Sequence, residues 1–114
     1  MSSRIGNVHY PVGDIERALS FYYSAFGLEA KFVDGNRYTA LDAGGTTLAL
    51  AGAEEDITDG RVAASFKVDD VQGALQTIVA AGGSVVRGAE AGPHELRAVA
   101  TDPWGNSLIV YGPK

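Results

Sequence analysis

Cysteine is absent from this chain of 114 residues, which removes disulfides, thiolate metal sites and cysteine nucleophiles together. Basic residues are scarce: 9 Lys and Arg stand against 14 Asp and Glu, a formal net charge of -5. A phosphate backbone is held by clustered Lys and Arg, so nucleic acid is not an expected partner. No apolar run approaches the roughly 20 residues a membrane-spanning helix needs, so no membrane is expected either. Met1-Ser2-Ser3-Arg4 carries no apolar stretch of the signal-peptide kind, and a cytoplasmic location is the expectation. There is no P-loop and no GxGxxG; Gly44-Gly45 and Gly82-Gly83 read as punctuation, not phosphate cradles.

What is plentiful is glycine, 15 residues of it. Used as turn markers, the glycines cut the chain into short pieces. Residues 5–12 alternate, with Val8, Tyr10 and Val12 on one face and Ile5, Asn7 and His9 on the other, the pattern of a strand. Asp14 suits a helix N-cap; Ile15, Ala18, Leu19, Tyr22 and Phe26 follow at helical spacing, and Gly27 stops the helix. Strands are expected over 29–34, 37–43 and 46–51, the first two joined by Asp34-Gly35-Asn36. Glu54-Glu55-Asp56 and the residues to Gly60 read as a solvated linker. The order then returns: a strand over 62–68, a cap at Asp69 or Asp70, a helix carrying Val71, Ala74, Leu75, Ile78 and Val79, a stop at Gly82-Gly83, and strands over 84–88, 95–101 and 106–111.

The halves match at a fixed offset. Val12, Asp14, Ile15, Ala18, Leu19, Ala25 and Gly27 stand 56 positions before Val68, Asp70, Val71, Ala74, Leu75, Ala81 and Gly83. Gly45, Leu48 and Leu50 stand 60 before Gly105, Leu108 and Val110, so a longer connection is expected near residues 88–93. The fold class expected is α+β, one domain of two tandem βαβββ modules, residues 1–56 and 57–114. Val8, Tyr10, Val12, Leu48 and Leu50 should pack under the first helix, and Ala64, Phe66, Val68, Leu108 and Val110 under the second. The other face of each sheet is left for a ligand cleft. Phe21, Tyr22 and Tyr23 are expected to pack in the core, and Trp104 against the neighbouring module. The facing of Phe32 and Tyr38 is open.

Val12-Gly13-Asp14-Ile15-Glu16-Arg17-Ala18-Leu19-Ser20-Phe21-Tyr22, Phe26-Gly27-Leu28-Glu29, Phe66-Lys67-Val68-Asp69-Asp70-Val71 and Asp102-Pro103-Trp104-Gly105-Asn106 together resemble the vicinal oxygen chelate superfamily. That group includes glyoxalase I, extradiol dioxygenases and the bleomycin and fosfomycin resistance proteins. The resemblance covers nearly the whole chain. It implies curved mixed sheets forming a cleft, completed in short members by a homodimer. It also implies metal ligands from the first and last strand of each module, which here fall on Asn7, Ala49, Ala63 and Ile109. Alanine and isoleucine carry no donor atoms, and a neutral amide is a feeble ligand. No metal and no cofactor are therefore expected.

Asn7, His9, Ser65, Lys67, Ser107 and Tyr111 share the cleft side of their strands and are the candidate ligand-binding residues. His9 is the one candidate general base, with no carboxylate visibly placed to orient it. Lys67 suits an anionic group or a solvated rim, Tyr111 a flat ligand or a dimer seam, and His94 an exposed loop. The function expected is a metal-free binding protein, close to the bleomycin-resistance branch, sequestering an antibiotic or another aromatic or cationic small molecule. The alternative is an enzyme (lyase, isomerase or dioxygenase) with atypical ligands or with His9 as base. A structural module whose cleft is filled by its own side chains is the third reading.

Overall fold

A computed structural model describes residues 3–114. Ten elements follow one another: β1 (Ser3–Pro11), α1 (Ile15–Phe26), β2 (Glu29–Asp34), β3 (Tyr38–Asp42), β4 (Thr47–Ala51), β5 (Ala63–Val68), α2 (Val71–Ala80), β6 (Ser84–Ala91), β7 (Leu96–Thr101) and β8 (Ser107–Gly112). This is the α+β class and the twice-repeated βαβββ order expected. The chain divides into two compact units, Asn7–Val62 and Ala63–Lys114, with residues 3–6 grouping with the latter.

In the unit Asn7–Val62 the strands lie in the order β2-β3-β4-β1. β1 runs parallel to β4, with His9 beside Ala49, while β4 and β2 each run antiparallel to β3. The parallel pair requires a crossover, and α1 supplies it. Asp14 caps α1, its carboxylate accepting the Arg17 N–H at 3.1 Å. Ile15, Leu41 and Leu50 form the core, with Tyr10, Val12, Ala18, Leu19, Tyr22, Leu28 and Leu48 packed on it. Phe21 and Tyr23 lie outside this stripe, 59% and 61% exposed, contrary to the packing expected of them; Phe26 continues the stripe, stacked on Tyr22, but ends the helix and is 69% exposed. A narrow sheet offers α1 only one stripe to cover, and Ile15, Ala18, Leu19 and Tyr22 already fill it. Asp14→Ala should lower stability by about 1 kcal/mol in chemical denaturation, the usual loss for an N-cap carboxylate.

In the other unit the order is β5-β8-β7-β6, with β5 parallel to β8 and the rest antiparallel. Asp70, not Asp69, is the cap of α2, accepting the Gly73 N–H at 3.1 Å. Val71, Leu75, Ala98, Ala100 and Val110 make this core. Val79 is exposed, and so is Trp104, at 83%, instead of packing on a neighbour. The Asp102 carboxylate takes the N–H groups of Trp104 and Asn106, both at 2.9 Å, so the turn holds itself together without the indole.

Two expectations about the repeat need correction. Gly27 has its counterpart in Gly82, not Gly83: Gly27 has φ 70° and Gly82 φ 103°, whereas Gly83 is not in the left-handed region. Of the four extra residues of the second module, two lengthen β6, which runs to Ala91, one lengthens β7 and one the loop between them, instead of all making a loop at 88–93. Register shifts between Val85 and Arg87 and between Arg87 and Glu90 each bulge one residue of β6 out of the pairing.

Candidate functional site

Side chains alternate across a strand, so the registers decide which residues share a face. In the unit Asn7–Val62 the core face carries Tyr10, Leu50 and Leu41. The opposite face carries one row running straight across four strands: His9, Ala49, Ala40 and Phe32. At about 4.8 Å per strand, the two end residues are roughly 14 Å apart along the sheet, with only alanine methyls between them. The next row is Pro11, Ala51, Tyr38 and Asp34. The open facing of Phe32 and Tyr38 is thereby settled: both share the face of His9, and their rings stand 6.3 Å apart at 53°. Asn7 lies two residues before His9 on the same side.

His9 is 6% exposed, and it has the carboxylate partner that no sequence pattern showed. Its Nε2 lies 2.8 Å from Asp56 Oδ1 and 3.2 Å from Thr58 Oγ1. Asp56 Oδ1 also accepts the Thr58 N–H at 2.9 Å and lies 2.6 Å from the Thr58 hydroxyl, while Oδ2 accepts the Gly60 N–H at 2.7 Å. The Thr58 hydroxyl accepts the Arg61 N–H at 3.2 Å, and its single proton serves Asp56 or the Arg61 carbonyl. Asp59 and Gly60 adopt φ 56° and 80°, which curls the segment back on itself. The expectation of a solvated linker therefore fails for two of its four acids, Glu55 and Asp56. Glu55 pairs with Arg37 at 2.7 Å, and Asp56 is built into the unit.

Burial by itself would raise the Asp56 carboxyl pKa. Hydrogen bonds from the Thr58 hydroxyl, the Thr58 and Gly60 N–H groups and His9 outweigh it and bring the value down to about 2. Asp56 is thus an anion at neutral pH and acts only as an acceptor, so Nε2 of His9 must bring the proton. No hydrogen bond to Nδ1 is found among the described residues. A carboxylate on Nε2 holds the imidazole in one orientation, the kind of support a histidine in proton transfer uses.

The other four sequence candidates fall in the second unit, on the face of its sheet opposite α2. Lys67, Tyr111 and Arg97 form one row, and Ser65, Ile109, Val99 and Arg87 the next. Ser107 pairs with Thr101 farther along the same face. Lys67 is exposed, Tyr111 and Ser107 are half-buried, and Ser65 is buried. Tyr111 reaches over Gly6, where any Cβ would meet its hydroxyl. His94 is exposed.

The positions that the resemblance assigns to a divalent metal do not suit one. Ala49, Ala63 and Ile109 are buried and carry no donor atoms, Asn7 offers an amide, and the nearby His9 already has Nε2 on Asp56. No cluster of three or more His, Asp or Glu able to hold a metal exists among the described residues.

A family model, the Glyoxalase/Bleomycin resistance protein/Dioxygenase superfamily, matches residues 4–110. An uncharacterized protein of Mycolicibacterium smegmatis is 40% identical over 92 residues, spanning 81% of this chain and 79% of that protein. Among solved structures, a glyoxalase/bleomycin resistance protein/dioxygenase superfamily member from Vibrio splendidus superposes with a TM-score of 0.72 at 18% identity, over 97% of this chain and 99% of that one. Methylmalonyl-CoA epimerase from Mycobacterium tuberculosis gives 0.64 at 18% identity, over 95% and 86%. At such identities the two structures show a shared fold and nothing about reaction.

Proposed function

This chain belongs to the glyoxalase/bleomycin resistance protein/dioxygenase superfamily, and on that premise we propose that it is a metal-free small-molecule-binding protein. It works as a cytoplasmic homodimer and holds an aromatic or cationic molecule, antibiotics among the candidates, on the free faces of its sheets. The observation that carries this reading is the donor set. The strand positions from which relatives in this fold would coordinate a metal hold Ala49, Ala63 and Ile109. The rings of Phe32 and Tyr38 on the face of His9 supply aromatic surface for a flat ligand.

Thermal denaturation against a panel of aromatic and cationic compounds tests the reading. A true ligand present at ten times its Kd should stabilise the fold by about 1.4 kcal/mol, while Zn²⁺, Ni²⁺, Mn²⁺ and Fe²⁺ leave the midpoint unchanged. One metal ion bound per chain with a matching rise in midpoint would sink the metal-free claim.

The pairing of His9 with Asp56 favours a second reading, an enzyme that uses His9 as a general base. In that case His9→Ala abolishes turnover, at least a hundredfold, while the far-ultraviolet circular dichroism spectrum is retained.

A further inference from the structure

We infer that Asp34, at the turn between β2 and β3, is a modification site: it isomerises to isoaspartate in the folded chain, whereas Asp59, in the same Asp-Gly pairing, is held back by the fold. The backbone nitrogen after an aspartate can attack that residue's Cγ and close a five-membered succinimide. The nitrogen's proton and the carboxyl hydroxyl leave together as water, so a C–N bond replaces a C–O bond. Water then opens the ring. When it breaks the bond between that nitrogen and the aspartate's backbone carbonyl carbon, the chain is left running through Cβ and Cγ, and the old backbone carbonyl becomes a free carboxylate. One water is lost and one regained, with no oxidation or reduction. A side chain on the following residue crowds the attacking nitrogen, and glycine has none. A hydrogen bond donated by that N–H opposes the attack, because it must break before the nitrogen can turn to Cγ.

A Gly or Ala follows an aspartate at three places: Asp34-Gly35, Asp42-Ala43 and Asp59-Gly60. The fold engages two of the three nitrogens. The Ala43 N–H donates to the Thr46 carbonyl at 2.8 Å, and the Gly60 N–H donates to Asp56 Oδ2 at 2.7 Å. The latter bond ends on a carboxylate that also takes the Thr58 N–H and faces His9, in a curl where Asp59 itself stands at φ 56°. For the Gly35 N–H no hydrogen bond is found among the described residues. The Asp34 side chain is 57% exposed, and its ion pair is a long one, 4.0 Å to an Arg37 that already holds Glu55 at 2.7 Å. No atom stands within 4 Å of where a Gly35 Cβ would be. Attacking nitrogen and target carboxyl are thus both unencumbered at Asp34, and the nitrogen is tied down at Asp59.

The change has a structural consequence. The Asp34 carbonyl accepts the Arg37 N–H at 3.0 Å and closes the turn, and Asp34 pairs with Tyr38 across the hairpin. Isomerisation takes that carbonyl out of the chain and inserts a methylene between Phe32 and Tyr38, whose rings stand 6.3 Å apart.

The test uses the full chain, aged in warm neutral buffer both folded and unfolded in urea, and sampled until the unfolded chain has accumulated isoaspartate. Trypsin cleavage after Lys31, Arg37 and Arg61 puts Asp34 on the peptide 32–37 and Asp59 on the peptide 38–61. A fresh sample digested in parallel sets the background, and electron-transfer fragmentation assigns each isoaspartate to its residue. In the folded chain isoaspartate should form at Asp34 and at least about tenfold less at Asp59, the scale of one hydrogen bond to a carboxylate. In urea, where the Gly60 bond is gone, the two should isomerise at similar rates. Asp34→Glu should leave the peptide 32–37 unmodified, because glutamate would have to close a larger ring. Absence of isoaspartate at Asp34 in the folded chain would overturn the inference, and so would an excess over Asp59 of less than about tenfold. The same excess in urea would overturn it as well, since the local sequence and not the fold would then set the difference.

Discussion

Asp56→Ala is expected to lower the stability of the fold by about 3 kcal/mol, a fall of roughly 10 °C in Tm. The side chain is the acceptor for His9, for the Thr58 hydroxyl and for two backbone N–H groups, and the substitution leaves all of them facing a void. His9 and Thr58 are 6% and 4% exposed, so water reaches them poorly once Asp56 is gone. Thr58→Val, which removes one hydroxyl and keeps the carboxylate, should cost about 1 kcal/mol and serves as the comparison. The same carboxylate makes a pH signature. Its pKa falls from 3.8 unfolded to about 2 folded, so its contribution is fully present above about pH 4 and disappears as the pH drops through about 2. The difference amounts to about 2 kcal/mol. Urea denaturation at pH 5 and pH 2 should therefore show the native chain losing about 2 kcal/mol more than Asp56→Asn. Equal acid sensitivity in the two would mean that Asp56 is no better solvated by the fold than by water.

The strands and helices were legible in the sequence because each is written locally. Alternation marks β1 and β5, an Asp three residues before an acceptor-seeking N–H marks the start of each helix, and the helix faces repeat at 3.6 residues. The facing of His9 was legible for the same reason, since its parity within β1 sets it opposite the core. Its partner was not. Asp56 lies 47 residues away in a run of acids, and nothing in composition separates it from its exposed neighbour Glu54. A local sign did exist: Thr two residues and Gly four residues after Asp56 are turn chemistry that folds a carboxylate onto its own N–H groups. That sign tells where the carboxylate turns, and only the parallel pairing of β1 with β4, whose end leads into this segment, brings it to His9. The exposed aromatics of α1 failed for a different reason. Helical spacing names a stripe but not its width, and a four-stranded sheet under a short helix covers fewer residues than the periodicity offers.

The duplication also left a mark that local patterns do not explain, and it predicts the other large effect. Gly52 and Gly112 stand 60 residues apart, the offset that relates Gly45 to Gly105, each at or just past the end of the last strand of its module. Neither has a positive φ, so backbone freedom is not what they supply. A Cβ on Gly112 would run into the Val68 carbonyl oxygen and lie 3.4 Å from Val71 Cγ2. A Cβ on Gly52 would run into the Asn36 carbonyl oxygen and lie 3.2 Å from that of Arg37, which already accepts the Gly52 N–H at 2.7 Å. The same residue is therefore retained in both halves against different neighbours, a hairpin turn in one and the end of β5 in the other. Backbone oxygens bound into a sheet or turn cannot step aside as a flexible side chain can. Gly112→Ala should accordingly destabilise by about 3 kcal/mol, at the upper end of overpacking losses, because Val71 beyond it is itself a buried core residue. Gly52→Ala should follow at about 2 kcal/mol. Gly88, with nothing within 4 Å of its would-be Cβ and no positive φ, is the control: alanine there should be neutral or stabilise by about 0.5 kcal/mol. Chemical denaturation of the three variants separates the alternatives. A Gly112→Ala protein as stable as Gly88→Ala would show that β8 can shift by the width of a methyl group, and that close packing of the strand ends is not what preserves this glycine in both modules.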